Sequence, residues 1–154
     1  MITVHNAEEE RLAREHIIEV AKSWMLTPFI DGQGLKKCGV DCAYFLARVA
    51  EESGATARIE LPAYSPQVYL HRKGDTTYLD LMKQYAREIA ECEVKPADMV
   101  LYKVAASYTH GGIIISWPDS IIHPIRPHGV ICSSANEGFV KFRDKKFFSV
   151  FGRR

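Results

Sequence analysis

The sequence predicts an α+β fold, with N-terminal helices packed on a C-terminal antiparallel sheet or partial barrel of about five or six strands. Two observations carry this prediction. Three stretches before residue 92 repeat apolar side chains at helical spacing. After Pro96 the texture changes to short β-prone runs broken by Gly, Pro, Asn and Asp. Helices and strands are therefore segregated, which excludes an alternating βαβ design. The 154 residues read as one domain, 1–154, long enough to bury its own core.

The first helix is expected over 7–24. Asn6 and Glu9 form an Asn-x-x-Glu start, Glu8–Glu10 suit a helix N-terminus, and Ala13, Ile17, Val20, Ala21 and Trp24 share one face. "TPFIDGQGLKKCG" (27–39), with Pro28 and three glycines, reads as a loop. The second helix is expected over 42–52, with Phe45, Leu46 and Val49 inward and Gly54 as its C-terminal cap. Residues 55–75 read as an ordered, irregular connection. Thr77 and Asp80 then resemble a capping box for a third helix over 77–91, with Leu79, Met82, Ala86 and Ile89 inward. "DMVLYKVA", "GGIIISW", "SIIHPI", "GVICSS", "GFVKFR" and "KKFFSVF" supply the strands.

Composition excludes several classes. Hydrophobic residues make up 47%, charged residues 25%, and 20 Lys+Arg against 19 Asp+Glu leave a net charge of +1. No basic stripe interleaved with aromatics points to nucleic acid. No apolar run suits membrane insertion, and the N-terminus lacks a signal-peptide pattern. The expected site of synthesis is therefore a cytoplasm, with the four cysteines reduced. A reaction outside the cell would need a carrier.

The chemistry centres on "KKCGVDCAYFLARVA" (36–50). Cys42 falls in the first turn of helix two, where free backbone N–H groups and the helix dipole favour a thiolate and could hold an oxyanion beside it. From position alone, the first reading is a buried cysteine packed under the loop. Cys38 opens a redox or metal alternative, but Cys-x-x-x-Cys has neither a second ligand pair nor the two-residue redox spacing. Cys92 and Cys132 read as core fillers.

Six histidines could serve as base. His5 and His16 belong to the first helix region. His110 enters the strand "GGIII", where two glycines allow another chain to approach closely. His123 ends "SIIH". If these strands pair around Pro118-Asp119, both imidazoles lie near one end of adjacent strands, suiting a base steadied by a second imidazole. His128 is a weaker substitute, and each histidine alone could equally be a strand-end residue bonded to backbone.

Together these pieces resemble a known family. "WMLTPFIDGQGLKKCGVDCAYFL" resembles the nucleophile segment of NlpC-like peptidoglycan endopeptidases, which are papain-fold cysteine peptidases. "KPADMVLYKVAASYTHGGIII" resembles the segment carrying their base, and "SIIHPI" the strand carrying their third polar residue. The resemblance implies a papain-like fold and a Cys42–His110–His123 triad that needs neither metal nor organic cofactor. It also implies substrate contacts from Asp41, Phe29 and Ala43. The implied substrate is a peptidoglycan stem peptide, cut between D-glutamate and the diamino acid. "YSPQVYLHRKGDTTYLDLMKQYAREI" (64–89) resembles the version encoded among phage tail genes, which implies a virion location and tail-tip protein partners. Three positions depart from the pattern. Phe29 replaces a tyrosine, Ala43 a serine and Tyr44 a glycine. A structural role in a tail tip and acyl transfer to a non-wall substrate stand as alternatives.

Overall fold

The computed structural model describes residues 1–62 and 76–152. Helix α1 spans Ala7–Ser23, and the side chain of its N-cap Asn6 accepts from the Glu9 N–H at 2.9 Å. Ile17, Ala21 and Trp24 are buried as the spacing requires. Arg14 is buried too. Its guanidinium donates to the Pro96 carbonyl and, at 2.9 Å, to Asp98, which also accepts from Ser149 Oγ and from the Lys95 N–H. This network ties α1 to the start and end of the sheet.

The loop after α1 contains a small hairpin, β1 (Gly34–Leu35) against β2 (Gly39–Val40), leading directly into α2 (Cys42–Glu52). Phe45 is fully buried and meets the edge of Trp24 at 6.4 Å between centroids. Gly54 adopts φ +73°, the left-handed conformation of a helix terminator. Helix α3 spans Thr77–Tyr85, six residues short of expectation. Ala86 turns extended, and Arg87–Ile89 forms strand β3. Ile89 thus packs in a sheet-side cluster rather than on a helix face. Thr76 rather than Thr77 stands at the N-cap, its hydroxyl donating to Asp80.

The remaining strands are β4 (Met99–Val104), β5 (Ser107–Ser116), β6 (Ser120–Ile125), β7 (Gly129–Ser133) and β8 (Lys145–Ser149). They form one antiparallel six-stranded sheet in the order β3-β8-β4-β5-β6-β7, matching the expected α+β class. "GFVKFR" is a correction. Gly138–Val140 forms a single 3-10 turn, Lys141 leaves it extended, and Phe142 is 91% exposed at φ +65°. The sheet is covered on both faces. Leu46, Val49, Leu101, Ile113 and Ile122 pack in the larger, helix-side core. Val100, Tyr102, Ile114, Ile121 and Phe147 fill a smaller cluster with Val140 on the other side. Among the described residues, no helix is long and apolar enough to cross a membrane.

Candidate active site

Cys42 is the first residue of α2, and β2 delivers it there. Val40 pairs with both Gly34 and Phe29, so the strand hands straight over to the N-cap Asp41. The preceding loop is fastened to the far edge of the sheet. Leu26 N–H donates to the Val130 carbonyl, and Val130 N–H to the Thr27 carbonyl. Gly129 passes so close that a Cβ there would lie 2.3 Å from the Thr27 carbonyl oxygen.

The half-buried Cys42 thiol donates to the Thr109 carbonyl at 3.0 Å. The Gly111 N–H is also directed at its sulfur. The sulfur is thus bracketed by backbone on either side of His110. A bulge sets this up, since Tyr102 pairs with His110 and Lys103 with Tyr108, leaving Thr109 unpaired. His110 Nε2 lies 2.8 Å from His123 Nδ1, which leaves His110 Nδ1 as the nitrogen open to a thiol. His123 Nε2 in turn lies 2.8 Å from Ser133 Oγ on β7. The two glycines after His110 act as expected. A Cβ on Gly111 would lie 2.6 Å from Leu46, and one on Gly112 would lie 3.0 Å from both His123 Cβ and the Ile122 carbonyl oxygen.

The electrostatics correct the expectation of a low thiol pKa. Burial, reinforced by the Asp41 carboxylate, pushes the Cys42 thiol up to about 12. The N–H groups of Gly111, Cys42 and Ala43 favour the thiolate but are outweighed. Burial, with smaller contributions from His123 and Arg143, lowers His110 to about 3, and burial lowers His123 to about 4. At neutral pH the resting pair is a neutral thiol beside neutral imidazoles.

The residues expected to contact substrate fare differently. Asp41 is 3% exposed. One carboxylate oxygen caps α2 by accepting from Tyr44 N–H at 3.0 Å, and the other accepts from Gly32 N–H at 2.7 Å. Both carboxylate oxygens thus fasten the loop to the start of α2. Ala43 is buried in the helix-side core. Phe29 is half-buried beneath the guanidinium of Arg126, which sits 4.5 Å from its ring centroid and pairs with Asp31. Cys38 is exposed. Cys92 and Cys132 are exposed as well, one on the turn after β3 and the other on edge strand β7, so neither fills the core. His5, His16 and His128 lie on the surface. Residues 63–75, with Tyr64, Tyr69 and His71, lie outside the described residues. Among the described residues, no group of three His, Cys, Asp or Glu side chains could hold a metal.

Three neighbours of the site carried no sequence signal. Tyr78 Oη donates to the Cys42 carbonyl at 3.2 Å. Phe139 sets its ring against His110 at 5.3 Å between centroids, with Arg143 stacked behind it at 4.2 Å. Ser133 ends the histidine pair, a diagonal contact that only the β6–β7 register defines.

No family model matches the chain, and no curated protein matches it. Solved structures do. The NlpC/p60 domain of the peptidoglycan hydrolase SagA is similar over 86% of this chain and 96% of its own, at 16% identity and TM-score 0.60. Mycobacterium tuberculosis RipB, a peptidoglycan hydrolase, is similar over 97% of this chain and 70% of its own, at 15% identity and TM-score 0.63. Mycobacterium tuberculosis RipD, a non-catalytic NlpC/p60 domain protein, is similar over 90% of this chain and 97% of its own, at 13% identity and TM-score 0.55. The chain spans 39% and 43% of two further NlpC/p60 proteins, from Bacillus cereus and Staphylococcus aureus. The fold is that of the NlpC/p60 domains, a papain-like fold.

Proposed function

We propose that this chain is a cysteine peptidase that hydrolyses an amide of peptidoglycan stem peptides, between D-glutamate and the diamino acid. The observation that carries the reading is the Cys42 sulfur held between the Thr109 carbonyl and the Gly111 N–H, beside a histidine whose outer nitrogen is fixed by a second histidine. Similarity to the peptidoglycan hydrolases SagA and RipB supports the substrate class.

The scheme starts from the neutral pair. The thiol turns from the Thr109 carbonyl to His110 Nδ1, and its proton moves there as the sulfur–carbon bond forms. The oxyanion is held by the Cys42 N–H. Collapse of the tetrahedral intermediate breaks the carbon–nitrogen bond, and the Nδ1 proton leaves on the amine. Water then gives a proton to His110 and attacks the thioester, releasing the acid and restoring the thiol. His123 holds the His110 ring throughout. No cofactor takes part.

The reading includes a setting in a phage tail, with tail-tip proteins as further partners. Its support is the sequence resemblance of residues 64–89, of which 64–75 lie outside the described residues.

A second reading is favoured by the burial that drives both reacting groups to their neutral forms. In it the domain binds wall or tail proteins without turnover, as the non-catalytic RipD exemplifies for this fold. Acyl transfer to a fellow tail protein would use the same sulfur.

Chromatography and mass spectrometry of a muropeptide digest separate these readings. Hydrolysis predicts shortened stems with the wild-type chain and none with Cys42→Ala. The binding reading predicts equal retention of both proteins on the wall and no shortened stems from either.

A further inference from the structure

We propose that Ser133 is a positioning residue that ends a relay running Cys42–His110–His123–Ser133, and that its hydroxyl keeps His110 Nδ1 free to act as the base. The inference deepens the peptidase reading and rests on it.

The argument starts from the sheet register. His123 on β6 is opposite Ile131 on β7, and Ser133 is two residues further along the same face. Ser133 Oγ therefore meets the outer nitrogen of His123, at 2.8 Å, while the inner nitrogen meets His110 at 2.8 Å. A neutral imidazole carries one N–H and one lone pair, so the contact between the two rings uses one proton and can point either way. In the forward arrangement His110 donates from Nε2 to His123 Nδ1. His110 Nδ1 then carries the lone pair that a thiol needs, and His123 must donate from Nε2. In the reverse arrangement His123 donates from Nδ1 to His110 Nε2. The His110 proton then sits on Nδ1, and the base is blocked.

Ser133 bears on this choice because it meets the one nitrogen of His123 that does not face His110. Its oxygen can accept from His123 Nε2–H while its own proton turns toward solvent, since Ser133 is half-buried on the edge strand. The reverse arrangement requires that proton to point inward at His123. The other titratable or charged groups around the pair are Cys42 from α2, Tyr102 from β4 and Arg143 from the segment after the 3-10 turn.

No proton needs to travel along the relay. The Cys42 proton goes to His110 Nδ1, the Nε2–H stays in place, and the positive charge on His110 faces the His123 lone pair. Ser133 polarises that lone pair through His123 Nε2–H and touches no substrate, so its role is to position.

The test is proton–nitrogen correlation NMR of the full chain labelled with 15N-histidine at pH 7, in the wild type, Ser133→Ala, Ser133→Thr and Ser133→Asp. The wild type should show a protonated Nε2 and a bare Nδ1 on both His110 and His123. Ser133→Thr keeps the acceptor and Ser133→Asp can only accept, so both should keep that pattern. Ser133→Ala should populate Nδ1–H on His110 and lower kcat on muropeptides by about tenfold at unchanged KM, the worth of one hydrogen bond. Nδ1–H on wild-type His123, or wild-type tautomers in Ser133→Ala, would overturn the proposal. If Ser133→Ala does not fold, a tautomer change in Ser133→Thr or Ser133→Asp overturns it, and an unchanged pattern supports it. The spectra need no turnover. A wild type that releases no shortened stems refutes the peptidase reading without altering the NMR result.

Discussion

His110 Nε2 and His123 Nδ1 lie 2.8 Å apart, with their rings inclined at 70°, in a buried position one strand apart. The consequence is a division of labour. One nitrogen of His110 is committed to orientation, and the other is left for the Cys42 proton.

That division sets an order of damage. His110→Ala should lower kcat/KM by about 10²–10⁴-fold, the range for losing a positioned general base. His123→Ala should cost less, because the base survives with a looser orientation. Steady-state rates on muropeptides check this, and the reverse order would mean that the two roles are exchanged.

The same burial makes stability depend on acid. Both histidines have folded pKa values, about 3 and about 4, below the ordinary 6.5. Between those values and 6.5 the unfolded chain binds more protons, so stability should fall as pH drops below 6.5. The slope should be as much as about 1.4 kcal/mol per pH unit for each histidine. Urea unfolding between pH 4.5 and 7 checks this, with His123→Gln expected to show a shallower dependence.

A thiol pushed up to about 12 is a poor nucleophile. Iodoacetamide at pH 7 should therefore modify the exposed Cys38, Cys92 and Cys132 before Cys42, as read by peptide mapping. Faster modification of Cys42 would show a resting thiolate and contradict the neutral pair.

Gly112 has no room for a side chain, because a Cβ there would press on His123 Cβ and on the Ile122 carbonyl oxygen, both at 3.0 Å. Gly112→Ala should cost about 1–3 kcal/mol of stability, as overpacking does. It should also reduce turnover more than Gly54→Ala, whose Cβ would meet nothing within 4 Å although its positive φ strains the backbone. Thermal melts and muropeptide rates check both parts.

Asp98 is 1% exposed and accepts from Arg14, Ser149 and the Lys95 N–H. Asp98→Ala leaves a guanidinium buried without this partner, and should destabilise the fold by about 3–5 kcal/mol in urea unfolding.

Much of this architecture was legible because it rests on local signals. Asn6 and Glu9 mark the start of α1, and Gly54 marks the end of α2. The apolar runs after Pro96 mark the sheet, and His-Gly-Gly marks a crowded strand entry. What was missed depends on distant partners. Ala86 and Ile89 continue a helical spacing, yet Arg87–Ile89 pairs with β8, more than fifty residues away in sequence. "GFVKFR" alternates like a strand, but Gly138–Val140 coils into a 3-10 turn that sets Phe139 against His110, a partner distant in sequence. The capping role of Asp41 was not legible because its partners, the Tyr44 and Gly32 N–H groups, are defined only once the loop is folded. The helix-start argument for Cys42 omitted burial, which outweighs the N–H groups around the sulfur.

The central claim is that the Cys42 sulfur forms a covalent bond to the substrate carbonyl, and acid-quenched mass spectrometry during muropeptide turnover tests it most directly. The account predicts that the peptide containing Cys42 gains the mass of the acyl half of the cleaved stem, and that His110→Ala removes this adduct. Turnover with Cys42 unmodified at every quench time, or full activity in Cys42→Ala, would contradict it.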